Sequence, residues 1–190
     1  MFAVRFHGRG GQGVVTAAEL LASAAFAEDR YAQAFPSFGS ERMGAPVMSF
    51  CRIDDKPIRT HEPVTEPDAL LIQDPTLLHQ VDLFAGLAAD GYVLINSAKS
   101  FGELGLAGLA ARNYRHRLRT LPASGLALAH LGRPLPGAPM LAGLAALTGV
   151  VSLDAVLGAI TGRFAGQVAT GNVAAARAAY EFLAEVKADA

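Results

Sequence analysis

His7-Gly8-Arg9-Gly10-Gly11-Gln12-Gly13-Val14 is the stretch that decides the fold. It follows a short apolar run at 2–6, a first strand, and opens an Ala- and Leu-rich segment at 14–27 whose lone charge is Glu19, a helix packed on most sides. Gly8, Gly10 and Gly13 give the spacing G-x-G-x-x-G between strand and helix, the context that a dinucleotide-type turn requires. Glycines there permit a tight turn and close backbone approach, and the helix start offers unpaired N–H groups to an anion.

Working outward, strand and helix patterns alternate. Residues 31–35 form a second strand, and 47–53, apolar on both faces, a buried one. Asp54-Asp55-Lys56-Pro57 supplies turn chemistry, with 58–61 returning as a hairpin partner. Residues 69–73 are a central strand ending at Asp74-Pro75, a natural helix start, and 77–87 carry apolar residues at helical spacing. Strands at 91–95 and 115–121 follow, then helices at 123–131, 140–147, 153–160 and 173–186. The expectation is an α/β fold: a Rossmann-like three-layer sandwich with a mostly parallel sheet and a helical C-terminal segment.

A nicotinamide dinucleotide site adds a carboxylate about 20 residues on, at the end of the second strand. Here that strand ends Gln33-Ala34-Phe35-Pro36, and Glu28 and Asp29 precede it. A stand-alone NAD-dependent dehydrogenase is therefore disfavoured, and a phosphate-accepting or structural glycine turn preferred. A nucleotide-sensing Rossmann module is the other alternative.

The chain has 190 residues, 52% of them hydrophobic and 17% charged, against roughly 25% charged in an ordinary soluble domain. Two readings fit: an Ala-rich composition, or extensive burial against partner chains, which the motifs below favour. The length suits one domain over residues 1–190. A net charge of −1 gives no general attraction to nucleic acid or anionic membrane. The most apolar stretch, 140–160, is interrupted by Gly143, Thr148, Gly149, Ser152 and Asp154, so no membrane span is expected. Without a basic-then-apolar leader at the start, a cytoplasmic protein is expected. The single cysteine, Cys51, excludes an internal disulfide framework and reads as a small buried hydrophobe.

Residues 8–21, from Gly8-Arg9-Gly10-Gly11-Gln12-Gly13 onward, resemble the opening signature of the gamma subunits of pyruvate and related 2-oxoacid:ferredoxin oxidoreductases. The block 31–47, which includes Ser40-Glu41-Arg42-Met43-Gly44-Ala45-Pro46, is similar to the next signature of that family. Residues 52–59, Asp74-Pro75-Thr76-Leu77-Leu78, Gly132-Arg133-Pro134-Leu135-Pro136 and Met140-Leu141 continue the resemblance in order over nearly the whole chain. Two positions depart: the family commonly has arginine where Met43 stands and asparagine where Gly137 stands.

The resemblance implies a multi-subunit, thiamine diphosphate-dependent enzyme that oxidatively decarboxylates a 2-oxoacid to its acyl-CoA. The substrate would be pyruvate or, given Met43 and Gly137, an aryl- or branched-chain 2-oxoacid. Iron–sulfur clusters are held by sets of cysteine thiolates, and this chain has one cysteine. It also lacks the Gly-Asp-Gly…Asn magnesium–diphosphate motif of thiamine enzymes. Thiamine diphosphate, Mg2+ and 4Fe-4S clusters are accordingly expected on partner subunits, with CoA as co-substrate and ferredoxin or another acceptor taking the electrons. No cofactor or metal is expected on this chain alone, which is expected to be inactive in isolation.

In that picture Gly8, Arg9, Gly10, Gly11, Gln12 and Gly13 face the active centre, with Arg9 and Gln12 as polar contacts. Ser40, Glu41, Arg42, Met43 and Gly137 belong to loops at the interface; Glu41 and Arg42 are read either as an ion pair or as a solvated surface pair. Asn96 and Ser97 end a strand where open α/β sheets place ligands, although a helix cap explains them equally well. Arg115, Arg117 and Arg119 alternate, so on a strand they share one face, for CoA phosphates or an acidic partner surface, or as a solvated edge. The five histidines show no metal-ligand spacing, and His7 alone borders the glycine turn.

Overall fold

The computed structural model describes residues 1–37, 43–111 and 117–188. A six-stranded sheet carries the chain, in the order β2-β3-β1-β4-β5-β6. The strands are β1 (Phe2–Arg9), β2 (Tyr31–Pro36), β3 (Pro46–Asp54), β4 (Ala69–Ile72), β5 (Tyr92–Asn96) and β6 (Leu118–Leu121). From β1 to β6 neighbours are parallel, whereas β3 runs antiparallel to both β1 and β2.

Alternation along the central strands separates two cores. Val4, Phe6, Leu71, Leu94 and Leu121 face a helical layer made of α1 (Val14–Phe26), α3 (Ala123–Leu131), α4 (Gly137–Thr148), α5 (Leu153–Arg163) and α6 (Gly166–Ala188). Leu70, Ile72, Val93, Ile95 and Leu118 face the other way. That side is covered thinly, by the 3₁₀ turn Pro75–His79, by irregular chain carrying Leu83, Phe84 and Phe101, and by the short α2 (Ala107–Ala111). Helix α4 is buried on nearly every side. Gly143 makes that possible, because a Cβ there would lie 2.8 Å from Leu121 Cδ2 and 3.1 Å from Leu183 Cδ1. No described helix is long and apolar enough to cross a membrane.

Several expected elements differ in the structure. Residues 58–61 do not pair with β3; β2 takes that edge, with Tyr31 opposite Asp54. The Arg52 guanidinium instead catches the Glu62 carbonyl at 2.6 Å and holds the chain as it leaves the sheet. The expected helix at 77–87 is only the 3₁₀ turn. Arg5 Nη2 donates to the carbonyls of Leu83 and Ala85 at 2.9 and 2.7 Å, oxygens that a continuing helix would offer to its own later N–H groups. Gly86, at φ +72°, turns the chain back. Strand β1 extends past 2–6 to Arg9 through its ladder with β3. Helices α4 and α6 start earlier than 140 and 173, and β6 begins at Leu118.

Candidate functional site

The glycine turn closes the end of β1 at the point where β1 and β4 lie side by side. In open α/β sheets this is where ligands gather. Three of its glycines have separate reasons. A Cβ on Gly8 would sit 2.6 Å from Val14 Cγ2, while Gly11 and Gly13 adopt φ of +92° and +73°. Gln12 folds back so that its Oε1 accepts the Arg9 N–H at 2.8 Å, and its Nε2 donates to Asp74 at 2.8 Å. Arg9 ion-pairs with the same carboxylate at 3.2 Å. It also donates to Thr76 Oγ1, Gln80 Oε1 and the Gly44 carbonyl.

Asp74 is the hub of this network. Its other oxygen accepts from the Thr76 N–H at 2.9 Å and from the Thr76 hydroxyl at 2.6 Å, capping the 3₁₀ turn. Burial alone would raise its carboxyl pKa. The Thr76 hydroxyl, the Gln12 amide, the Thr76 N–H and the Arg9 charge outweigh that and hold it below the ordinary value. A second segment seals the turn: the Gly10 N–H donates to the Ala45 carbonyl at 2.9 Å, and the Gly44 N–H to the Gly10 carbonyl at 3.2 Å. Met43 lies over Gly11, its sulfur 3.2 Å from where a Cβ would stand, yet it is 87% exposed.

Beside the turn opens a groove of about 420 Å³. Gly11–Gly13 and the first turns of α1 form one wall; Arg133, Gly137, Arg163 and Gln167 contribute to the others. No described side chain caps α1, so among the described residues the amides of its first turn remain open to an acceptor. Neither Arg133 nor Arg163 is ion-paired among the described residues. Gly137 sits where α4 meets α1, its Cβ position in ordinary contact with Ala17 Cβ at 3.8 Å. The groove is thus an electropositive cleft with backbone donors at one end, suited to phosphate or carboxylate oxygens.

The other expected residues separate. Asn96 is committed to the fold: its Oδ1 accepts the Ser124 N–H at 3.0 Å, and its Nδ2 donates to the Gln73 carbonyl and Ser124 Oγ, both at 2.8 Å. It supplies the side-chain cap that Pro122 cannot give α3. Ser97 Oγ accepts the Lys99 N–H at 3.0 Å. Arg117 precedes β6, ion-pairs with Asp90 at 2.9 Å and stacks on Tyr92. Arg119 lies on the strand and donates to the Leu118 carbonyl. Ser40, Glu41, Arg42, Arg115 and His116 fall outside the described residues.

His7 is buried beside the turn, and its Nε2 accepts from Arg5 Nε at 3.1 Å. Burial, then the Arg5 charge, pushes its pKa down to about 4. Among the described residues no three His, Cys, Asp or Glu side chains cluster as a metal site. Sequence reading missed Arg163 and Gln167, which approach the turn only through the packing of α5 and α6. It read Asp74 as a helix start and as part of a family block but gave it no role in the site, and it did not single out Gln73, whose carboxamide is buried with neither atom hydrogen-bonded among the described residues.

The sequence model of the pyruvate ferredoxin/flavodoxin oxidoreductase family matches residues 3–182. The chain belongs to this family. It is 47% identical over 181 residues to the pyruvate synthase subunit PorC of Methanothermobacter marburgensis, covering 95% of this chain and 97% of that one. It is 47% identical over 181 residues to the pyruvate/ketoisovalerate oxidoreductases common subunit gamma of Pyrococcus abyssi, covering 95% of this chain and 96% of that one. The crystal structure of pyruvate oxidoreductase subunit PORC from Thermotoga maritima superimposes with a TM-score of 0.80 at 35% identity, covering 95% of each chain. Matching these subunits end to end, the chain is a gamma-type subunit of the pyruvate ferredoxin/flavodoxin oxidoreductase family.

Proposed function

We propose that this chain works as the gamma component of a cytoplasmic, thiamine diphosphate-dependent 2-oxoacid:acceptor oxidoreductase, in which the glycine turn and its groove face the active centre. The complex would decarboxylate a 2-oxoacid, transfer the acyl group to CoA and pass electrons through iron–sulfur clusters to ferredoxin or another acceptor. Thiamine diphosphate would supply the acyl-anion equivalent that such decarboxylation needs. Its Mg2+ and the 4Fe-4S clusters belong, on this reading, to partner subunits. The donor set here argues for that: the one cysteine, Cys51, is buried in β3, and burial drives its thiol pKa upward, away from the thiolate a cluster needs.

The observation that carries the reading is the end-to-end likeness to gamma subunits, joined to a groove whose chemistry suits an anionic acyl acceptor. The role of this chain is to bind and to shape. The open amides of α1 with Arg133 and Arg163 would receive CoA phosphates, and Asp74 would hold Arg9 and Gln12 in place. Met43, apolar and exposed on the turn, would meet a partner chain or an apolar substrate side chain, favouring pyruvate or an aryl- or branched-chain 2-oxoacid over a charged one.

The test is to co-express the chain with its partner subunits and assay 2-oxoacid- and CoA-dependent reduction of a viologen dye. The isolated chain should be inactive and the complex active. Arg163→Ala in the complex should raise the KM for CoA several-fold with kcat little changed. Turnover by the chain alone would overturn the reading.

A further inference from the structure

The face of β1 opposite Val4 and Phe6 presents Arg5 and His7 to a second cavity, of about 610 Å³. Its other walls include Val47, Met48, Leu77 and Val81, all apolar, with the exposed carboxylate Asp82 among its lining residues. Arg5 and His7 are only 6% and 8% exposed. The Arg5 guanidinium donates to the main-chain carbonyls of Val64, Leu83 and Ala85, and no described carboxylate comes within ion-pair distance. Among the described residues its positive charge is therefore only partly offset, by Asp82 at longer range. Nη1 is the least engaged nitrogen, its one bond stretching to 3.4 Å.

Because His7 Nε2 accepts from Arg5, the proton of the neutral ring resides on Nδ1. That N–H has no acceptor among the described residues, and it is not sealed in the interior. The cavity thus combines one outward-looking neutral donor, one cation with no ion-pair partner among the described residues and an apolar wall. Sites of this size that are mostly apolar with a few fixed polar groups take small organic ligands. A cation in an apolar setting attracts an anion, and Asp82 selects against a ligand with more than one negative charge.

We propose that this cavity is a binding site for a small monocarboxylate with a short apolar chain. One carboxylate oxygen accepts the His7 Nδ1–H beside the Arg5 guanidinium, and the chain packs on Val47, Met48, Leu77 and Val81. The site is separate from the groove and stands whether or not the groove receives CoA. A 2-oxoacid and a simple aliphatic acid share the recognised chemistry, so the experiment includes both.

Isovalerate, pyruvate and the uncharged isovaleramide are titrated into the purified complex by calorimetry. His7→Phe keeps the ring but removes the donor, and Val81→Trp fills the cavity from an exposed position that is safe for folding. Isovalerate should bind saturably, His7→Phe should weaken it at least tenfold, Val81→Trp should abolish it, and isovaleramide should bind at least tenfold more weakly. Pyruvate competing with isovalerate identifies the 2-oxoacid as an occupant; lack of competition identifies the aliphatic acid alone. Absence of saturable isovalerate binding, or binding unaltered in both variants, overturns the proposal.

Discussion

Gln12 and Asp74 lie 62 residues apart in sequence and are joined by a 2.8 Å hydrogen bond from the side-chain amide to the carboxylate. The same carboxylate pairs with Arg9 and caps the 3₁₀ turn, so the glycine turn and the 3₁₀ turn share one anchor. Asp74→Ala should destabilise the fold by about 2–3 kcal/mol, since it removes a cap and strands the Gln12 and Arg9 donors. Asp74→Asn keeps the shape, loses the charge and should cost about 1 kcal/mol. Urea denaturation of the three proteins checks the order; equal stability of Asp74→Ala and wild type would contradict the anchor.

Acid should weaken the fold in two stages. The His7 pKa is lowered in the fold from 6.5 to about 4, so the unfolded chain takes up the proton first. The stability contributed by neutral His7 is complete above pH 6.5 and drains away as pH falls toward 4, by about 3 kcal/mol at most. Asp74, whose carboxyl is held low, keeps its contribution above the ordinary carboxylate range and loses it only at still lower pH. Denaturation midpoints of wild type and His7→Phe between pH 7 and 4 should diverge in slope over the first stage. Parallel curves would refute it.

Two glycines should respond to alanine with opposite signs. At Gly8 the new methyl would meet Val14 Cγ2 at 2.6 Å and Gln12 Oε1 at 3.0 Å, costing about 1–3 kcal/mol. Gly125 is inside α3 with open space around its Cβ position, so alanine should stabilise by roughly 0.5–1 kcal/mol. Thermal melts of the two variants decide the matter.

Gln73 is 1% exposed, and neither carboxamide atom has a partner among the described residues. Gln73→Met fills similar volume without the polar atoms and should raise stability by about 1 kcal/mol. A loss of stability instead would mean that the amide serves a bound water or ligand beneath the turn.

Cys51 is fully buried, and its thiol is pushed well above the usual range by burial. It should resist iodoacetamide in the native protein and react at once in urea. Rapid native labelling would show that β3 opens readily.

The glycine turn and its helix were legible because their signals are local: spacing, a preceding apolar run and an uninterrupted Ala-rich stretch. The 77–87 segment misled because Leu77, Leu83 and Phe84 do face a core, yet the carbonyls at 83 and 85 answer to Arg5, far away in sequence. Likewise 58–61 look like a strand, but β2 already occupies the edge of β3. Asn96 was correctly placed at a strand end, although its two readings parted only once Ser124 was seen beside it. Arg163 and Gln167 could not be found locally, since nothing within α5 or α6 announces which way those helices pack.

The antiparallel run of β3 has one more result. Pro46 stands opposite Arg9, so the chain arrives at β3 on the very rim where the nucleotide-style bend sits, rather than at the far end as a parallel neighbour would. The two stretches therefore make a single lip, stitched by main-chain bonds between Gly10, Gly44 and Ala45. Anyone transplanting the bend into another scaffold has to carry both halves. A graft of residues 7–14 alone would leave Gly10 with an unmet donor and acceptor at the mouth of the cleft.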